Sequence, residues 1–379
     1  MKNQEIAQLF FEEFLGEKAT AFLALPQSGS ARMNFIGKSS NETYVITYNE
    51  NLLENEAFFY FTQVFSDLKL NTPQIFKINE ERKLYIQEFL GEKTLSEIIT
   101  LEGESERVKS LVKQTLKNLF ELQEKTQNKI DFSKTFEYEK YDELPITHDL
   151  YYFKNYLIDI LELTYHKSTL LKEFKKIVQK IENLAPKSLM IRDFQARNIL
   201  VNDKDEVFFI DYQAAMEGPA LYDVVSFLFQ AKVNFSENFK NEMLEYYFSF
   251  HPSEKRNKLE KSLKYCKMIR FIQVLGAYGF RGLIQRKPHF IASLEQGIEN
   301  IVEFTKTEPE MNEYPELKNL ILQLNTTETK NKIQKLIDEE LILVNDKIIK
   351  SSYKVSNGDV ILITDKEEDM SVKPEKMDI

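Results

Sequence analysis

Ile191-Arg192-Asp193-Phe194-Gln195-Ala196-Arg197-Asn198, followed thirteen residues after the asparagine by Asp211, is the stretch on which the fold turns. Between them lie two short apolar runs, residues 199–201 and 207–210, separated by Asn202-Asp203-Lys204-Asp205. Turn formers between apolar runs predict a hairpin, which returns the chain and brings Asp211 beside Asp193 and Asn198. Phosphoryl transfer needs one carboxylate to orient and deprotonate a hydroxyl, and oxygen ligands to hold Mg2+ between phosphates. Asp193 suits the first task, and Asn198 with Asp211 the second. Each residue alone reads as a turn former; their combination around one hairpin points to chemistry.

Outward from this stretch the periodicity changes. Upstream, residues 32–36, 43–48 and 84–89 read as strands, interrupted by one helix over residues 52–65, so the N-terminal part is a small sheet with a helix. Long helices begin after Thr94, with Val108, Leu111, Val112, Leu116, Leu119 and Phe120 on one face and Leu171, Phe174, Ile177, Val178, Ile181 and Leu184 on another. Helices resume after Gly218-Pro219 and run to about residue 305. A Pro- and Glu-containing stretch, residues 307–315, reads as a linker, and a different composition follows it.

Whole-chain properties narrow the class. With 379 residues, 42% of them apolar, the chain is long enough for more than one core and far from the make-up of disordered chains. A formal net charge of −10 argues against a dedicated nucleic-acid binder. The single cysteine, Cys266, excludes an intrachain disulfide framework and a thiolate metal cluster, so any metal is expected on oxygen. The N-terminal residues 1–14 pattern as an amphipathic helix and not as a signal peptide, and no apolar run reaches about 18 residues; the expected location is the cytoplasm.

The central stretch resembles the catalytic loop of protein kinase-like folds and looks like the aminoglycoside-phosphotransferase branch in particular. The string Arg192-Asp193-Phe194-Gln195-Ala196-Arg197-Asn198-Ile199, with Ile210-Asp211-Tyr212-Gln213 and Gly218-Pro219-Ala220-Leu221-Tyr222-Asp223-Val224-Val225-Ser226, is similar to bacterial kinases of the cell-wall amino sugars N-acetylmuramate and N-acetylglucosamine. The resemblance spans about residues 25–315. It implies an α+β fold of protein kinase-like, two-lobed form: residues 1–91 as a nucleotide-binding lobe and residues 92–315 as a helical lobe. It also implies ATP and Mg2+ as cofactors, a small-molecule hydroxyl as acceptor, Gln195 and Arg197 steadying the transferred group, and Asp223 bracing the loop. An aminoglycoside acceptor and a non-catalytic nucleotide- or RNA-binding regulator are the alternatives.

Two departures from that pattern stand out. Ile191 replaces the usual His ahead of Arg-Asp, and the strand Tyr44-Val45-Ile46-Thr47-Tyr48 offers no lysine for ATP. The expected substitutes are Ser28, Gly29 and Ser30, whose backbone N–H groups can cover phosphates, with Arg32 or Lys38 adding positive charge. Glu88 and Leu90 lie where the resemblance places the adenine-binding hinge. Glu56 on the predicted helix reads as a solvated charge. Gly37-Lys38-Ser39 is not a P-loop, because Arg32 stands where its first glycine is required. Asp149, Tyr151, Tyr152, Lys154, Tyr278, Arg281 and Arg286 are candidate acceptor-pocket residues.

Residues 326–379 resemble the small RNA-binding module at the N-terminus of ribosomal-RNA pseudouridine synthases, without a clear first helix. Asn345-Asp346 and Asn357-Gly358-Asp359 supply its turns. The acidic run Asp338-Glu339-Glu340 and the group Glu367, Glu368 and Asp369 disfavour phosphate contact, so a small α/β structural appendage is expected in preference to a working RNA binder.

Overall fold

The computed structural model describes residues 2–26, 31–338, 342–344, 347–348 and 361–363. The chain divides into two compact units, Met1–Tyr151 with Leu171–Val274, and Tyr152–Leu170 with Leu275–Ile379.

The first unit opens with helix α1 (Lys2–Leu15). Strands β1 (Ala21–Ala24), β2 (Met33–Lys38) and β3 (Thr43–Tyr48) precede helix α2 (Leu52–Asp67), and β4 (Ile75–Ile78) and β5 (Leu84–Glu88) follow it. They form one antiparallel sheet in the order β1-β2-β3-β5-β4. The apolar stripe of α1 explains its docking: Ala7, Phe10 and Phe11 are buried against Phe35, Ile46, Leu84 and Ile86 of the sheet. Gly37 serves that contact, because a Cβ there would strike the Phe11 ring.

After β6 (Lys93–Thr94) the helical part begins with α3 (Leu95–Glu102), started by a capping box between Thr94 and Glu97. Helix α4 (Glu106–Lys125) is capped by Ser105 and buries Val108, Leu111, Val112, Leu116 and Leu119 of the predicted face, with Phe120 half-buried. Helices α5 (Glu143–Phe153) and α6 (Lys167–Glu182) lead to strand β7 (Lys187–Met190). The predicted hairpin is present as β8 (Ile199–Val201) and β9 (Val207–Phe209), followed by β10 (Met216–Pro219). Because β10 pairs with β7 and β8 pairs with β6 and β9, both ends of the loop at residues 191–198 are held by strands. Helix α7 (Tyr222–Leu228) is buried over its whole length, and α8 (Glu237–Phe248) and α9 (Ser253–Tyr278) follow.

Helix α2 fastens the five-stranded sheet to the hairpin. Its Phe58 stacks on Tyr212 at 5.1 Å, Phe65 meets the same ring edge-on at 5.0 Å, and the Thr62 hydroxyl lies 2.7 Å from the Tyr212 hydroxyl. Just beyond α2, Asn71 accepts the Phe209 N–H at 2.9 Å and donates to the Val207 carbonyl at 3.2 Å.

The second unit contains α10 (Pro288–Thr307), α11 (Pro315–Gln323) and α12 (Thr327–Asp338). Strands β11 (Ile342–Val344), β12 (Lys347–Ile348) and β13 (Ile361–Ile363) pair antiparallel in the order β12-β11-β13. The stretch expected as a linker is instead a short 3-10 helix, Pro309–Glu313, with Met311 and Tyr314 buried, because apolar side chains lie among its charges. Helix α11, which buries Leu317, Leu320 and Ile321, precedes the tail.

Gly279, just past α9, approaches the segment Lys154–Ile158 so closely that a Cβ would collide with the Tyr156 carbonyl oxygen. Backbone has no rotamer with which to yield. Gly279→Ala is therefore expected to destabilise the protein by about 1–3 kcal/mol, seen as a lowered thermal midpoint; an unchanged midpoint would show that this contact relaxes freely.

Candidate active site

The loop at residues 191–198 is braced from below. Ile191 is buried and carries no side-chain donor, so the brace expected from a histidine is absent. In its place the fully buried Asp223 accepts the Ile191 N–H at 2.6 Å and the Arg192 N–H at 2.9 Å. Burial drives the Asp223 carboxyl up to about 7, against the two N–H groups and Arg270, which favour its charge. Arg192 sits at φ 73°, in the left-handed region that non-glycine residues seldom occupy. Its guanidinium donates to Asp149 at 2.9 Å, and Asp149 also accepts the Tyr141 hydroxyl at 2.8 Å. Phe194 anchors the far side, edge-on to Phe209 at 4.8 Å.

Above this brace the three predicted chemical groups come together. Asn198 donates from Nδ2 to the Asp193 carbonyl at 2.9 Å and to Asp211 Oδ2 at 3.2 Å. The Asp193 side chain stays 42% exposed, with the buried Arg270 guanidinium 3.8 Å from its Oδ1. Asp211 takes φ 66°, held by Tyr212 on one side and by its own hydrogen bonds on the other. Gln195 caps the short turn Ala196–Asn198, and its carbonyl accepts the Asn198 N–H at 2.8 Å. Arg197 is half-buried on that turn, near enough to Asp211 to favour its ionised form.

The positive charge expected near the phosphates is Arg32, immediately before β2. Its Nη2 donates to Asp211 Oδ1 at 2.5 Å, and its Nε lies 3.4 Å from Glu54 Oε1 in the first turn of α2. Burial pushes the Asp211 carboxyl toward its neutral form, but Arg32, with Gln213 donating to Oδ1 at 3.1 Å, holds it below the usual carboxylate range. The same surroundings raise Arg32 further above its ordinary value: burial opposes its charge, and Asp211 outweighs that opposition.

Glu54 was not singled out in the sequence, although a carboxylate in a first helical turn is the signal that marks it. Glu56 instead pairs with Arg82 at the exposed surface, in keeping with a solvated charge. Among the other expected nucleotide-binding residues, Ser28, Gly29 and Ser30 lie outside the described residues. Glu88 ends β5, its N–H bonded to the Gln74 carbonyl at 2.9 Å, and Leu90 is buried two residues on.

The candidate acceptor residues separate. Asp149 is consumed by Arg192 and Tyr141, which makes it part of the brace. Tyr151 is exposed and edge-on to Phe174, while Tyr152 packs with Tyr156 and Phe280, and Lys154 pairs with Asp159 at 2.6 Å. Tyr278 and Arg281 lie against the Phe290 ring in the second unit, and Arg286 follows at φ 57°.

A base-competent carboxylate on a braced loop, an amide and a second carboxylate across a hairpin, and an ion-paired cation reaching in from a five-stranded sheet define a kinase-like α+β fold built for phosphotransfer. The sequence matches the phosphotransferase enzyme family over residues 25–256, and the chain belongs to that family. Residues 317–361 match the S4 domain, a match that takes in α11. No curated protein matches the chain significantly. Solved structures agree on the fold. Choline kinase LicA from Streptococcus pneumoniae is 12% identical, with 80% of this chain and 100% of that chain covered at a TM-score of 0.55. A thermostable mutant of aminoglycoside phosphotransferase APH(4)-Ia is 15% identical, with 78% and 98% covered at 0.53. Spectinomycin phosphotransferase APH(9)-Ia, in an AMP-bound complex, is 14% identical, with 84% and 99% covered at 0.53.

Asp223→Asn tests the brace. An amide keeps one acceptor oxygen but turns an NH2 toward the other backbone N–H, so one buried donor is left unpaired at a cost of about 1–3 kcal/mol. Amide exchange at Ile191 and Arg192 should accelerate, and the thermal midpoint should fall. Unchanged protection of both amides would remove Asp223 from this role.

Proposed function

We propose that this chain transfers the γ-phosphoryl group of ATP to a hydroxyl of a small molecule, with a cell-wall amino sugar as acceptor. The observation that carries the reading is the convergence of Asp193, Asn198 and Asp211 on one side of the hairpin, bonded through the Asn198 amide. Asp193 is the base: it is exposed to an incoming hydroxyl, accepts its proton as the oxygen attacks phosphorus, and is oriented by the loop beneath it. The Asn198 amide oxygen and the Asp211 carboxylate are hard donors of the kind Mg2+ prefers. When bound there, Mg2+ would neutralise charge on the phosphates. Gln195 and Arg197 are placed to steady the transferred group, and Arg32 supplies the phosphate-binding charge that β3 lacks. Ser28, Gly29 and Ser30 cover the phosphates, and the Glu88 to Leu90 backbone receives adenine.

The amino-sugar acceptor is supported by the loop string Arg192 to Ile199 and by the run from Gly218 to Ser226, quoted above for that resemblance. Aminoglycosides are the second acceptor class, favoured by the fold shared with APH(4)-Ia, and a screen of both classes separates them. No helix among the described residues is long and apolar enough to cross a membrane, consistent with the cytoplasmic setting in which ATP is available. The S4-like tail acts as an appendage, because its sequence is acidic where phosphate contact needs Lys and Arg.

The two aspartates should fail differently. Asp193→Asn keeps the size of the side chain but loses the proton acceptor, so turnover is expected to fall by about 10²–10⁴-fold while nucleotide affinity is kept. Asp211→Asn withdraws a charged ligand, so nucleotide affinity in Mg2+ should weaken together with turnover. Steady-state kinetics paired with calorimetric nucleotide titration distinguishes them. An Asp193→Asn enzyme with near-full turnover and an unchanged melting curve would sink the mechanism.

A further inference from the structure

Arg32 and the metal-ligating face of Asp211 are the same place. Asp211 Oδ1 already accepts from Arg32 and from Gln213, and Oδ2 accepts from Asn198. A carboxylate has about four acceptor positions, so three are spent within the protein. A divalent cation sharing this carboxylate would also lie within a few ångströms of the guanidinium charge, and like charges at that range repel strongly in a buried site. The protein contributes few other donors: among the described residues no group of three or more His, Cys, Asp or Glu side chains is arranged to hold a metal.

Arg32 has somewhere to go. Its ion pairs with the two acids use different ends of the guanidinium, Nη2 on Asp211 and Nε on Glu54. Glu54 is itself fixed, accepting from Asn49 Nδ2 at 2.9 Å and set in the first turn of α2 by the Asn51 cap. Rotation about the Cδ–Nε bond turns the planar guanidinium as a unit, so Nη2 can leave Asp211 while Nε itself stays near Glu54. Residues 27–30, the segment expected to cover the phosphates, directly precede Ala31 and Arg32 in the chain.

We propose that Arg32 is an exchangeable countercharge: it neutralises Asp211 until nucleotide phosphates draw it off, and so makes metal binding at Asp211 conditional on nucleotide. This rests on the reading of the site as an ATP-dependent phosphotransferase. The arrangement places the cation that β3 lacks at the start of β2, and gives it a second task. Divalent metal and nucleotide then bind with positive coupling, since each removes the obstacle to the other. Arg32 is a positioning residue for the metal and a binding residue for the phosphates.

Mn2+ binding followed by electron paramagnetic resonance, with and without a non-hydrolysable ATP analogue, tests this in the full-length chain. For the wild type, free Mn2+ should bind poorly and the analogue should strengthen it markedly. Arg32→Gln should bind free Mn2+ at least about tenfold more tightly, from the loss of one repelling charge, and should bind the analogue at least about tenfold more weakly. The coupling between the two ligands should shrink accordingly. Arg32→Lys, which keeps the charge on a shorter, single-pronged group, should fall between them in both titrations and guards against misfolding of the glutamine variant. Unchanged or weaker Mn2+ affinity in Arg32→Gln, in a protein that melts like the wild type, overturns the exchange. Unchanged analogue affinity overturns the transfer of Arg32 to the phosphates. A wild type that binds no nucleotide at all would instead refute the underlying phosphotransferase reading.

Discussion

The two hydrogen bonds from the backbone of Ile191 and Arg192 to the buried Asp223 carboxylate are the constraint on which the site depends. They hold the chain at the one point where it leaves β7, and Arg192 directly follows in a left-handed conformation that costs on the order of 1–3 kcal/mol. The Arg192 pairing with Asp149 sustains that conformation, because breaking a buried ion pair leaves an uncompensated charge. With its stem fixed, the loop still leaves the Asp193 side chain 42% exposed.

A second constraint acts from the other side of the hairpin. Asp211 is also left-handed, and Tyr212 beside it is locked among Phe58, Phe65 and Tyr85, with its hydroxyl on Thr62. The helix that supplies Phe58, Thr62 and Phe65 also carries Glu54, so one element packs against the residue next to Asp211 and holds the acid that pairs with Arg32. Arg32 thus sits in one local charge balance with two acids, Asp211 and Glu54, at the start of α2. A cation placed there by a loop has more freedom than one on a strand, which is the physical opening for exchange between carboxylate and phosphate.

Much of this was legible in the residues. The hairpin followed from two apolar runs around a polar turn, and α4 and α6 followed from helical stripes with long runs free of Gly and Pro. Asp193, Asn198 and Asp211 were recoverable because the turn that joins them is short and local. Asp223 was recoverable through resemblance. Glu54 carried a signal in its first-turn position, but its pairing with Arg32 was not legible, since the two lie on different elements. Strands β4, β7 and β10 were missed because four-residue runs carry little periodicity, and the buried 3-10 turn around Met311 was masked by its Glu and Pro residues.

By itself the sequence determined the chemical inventory, the hairpin that juxtaposes it, and the helical and strand periods that demand a sheet packed with helices. Those are local properties, carried by neighbours a few residues apart. Tertiary structure alone decided which cation meets Asp211, which acid holds that cation, and which backbone groups Asp223 holds. These are long-range pairings, Arg32 with Asp211, Arg192 with Asp149 and Asp223 with Ile191. Burial sets their strength, because a charge removed from water must find its partner wherever the fold brings one within reach.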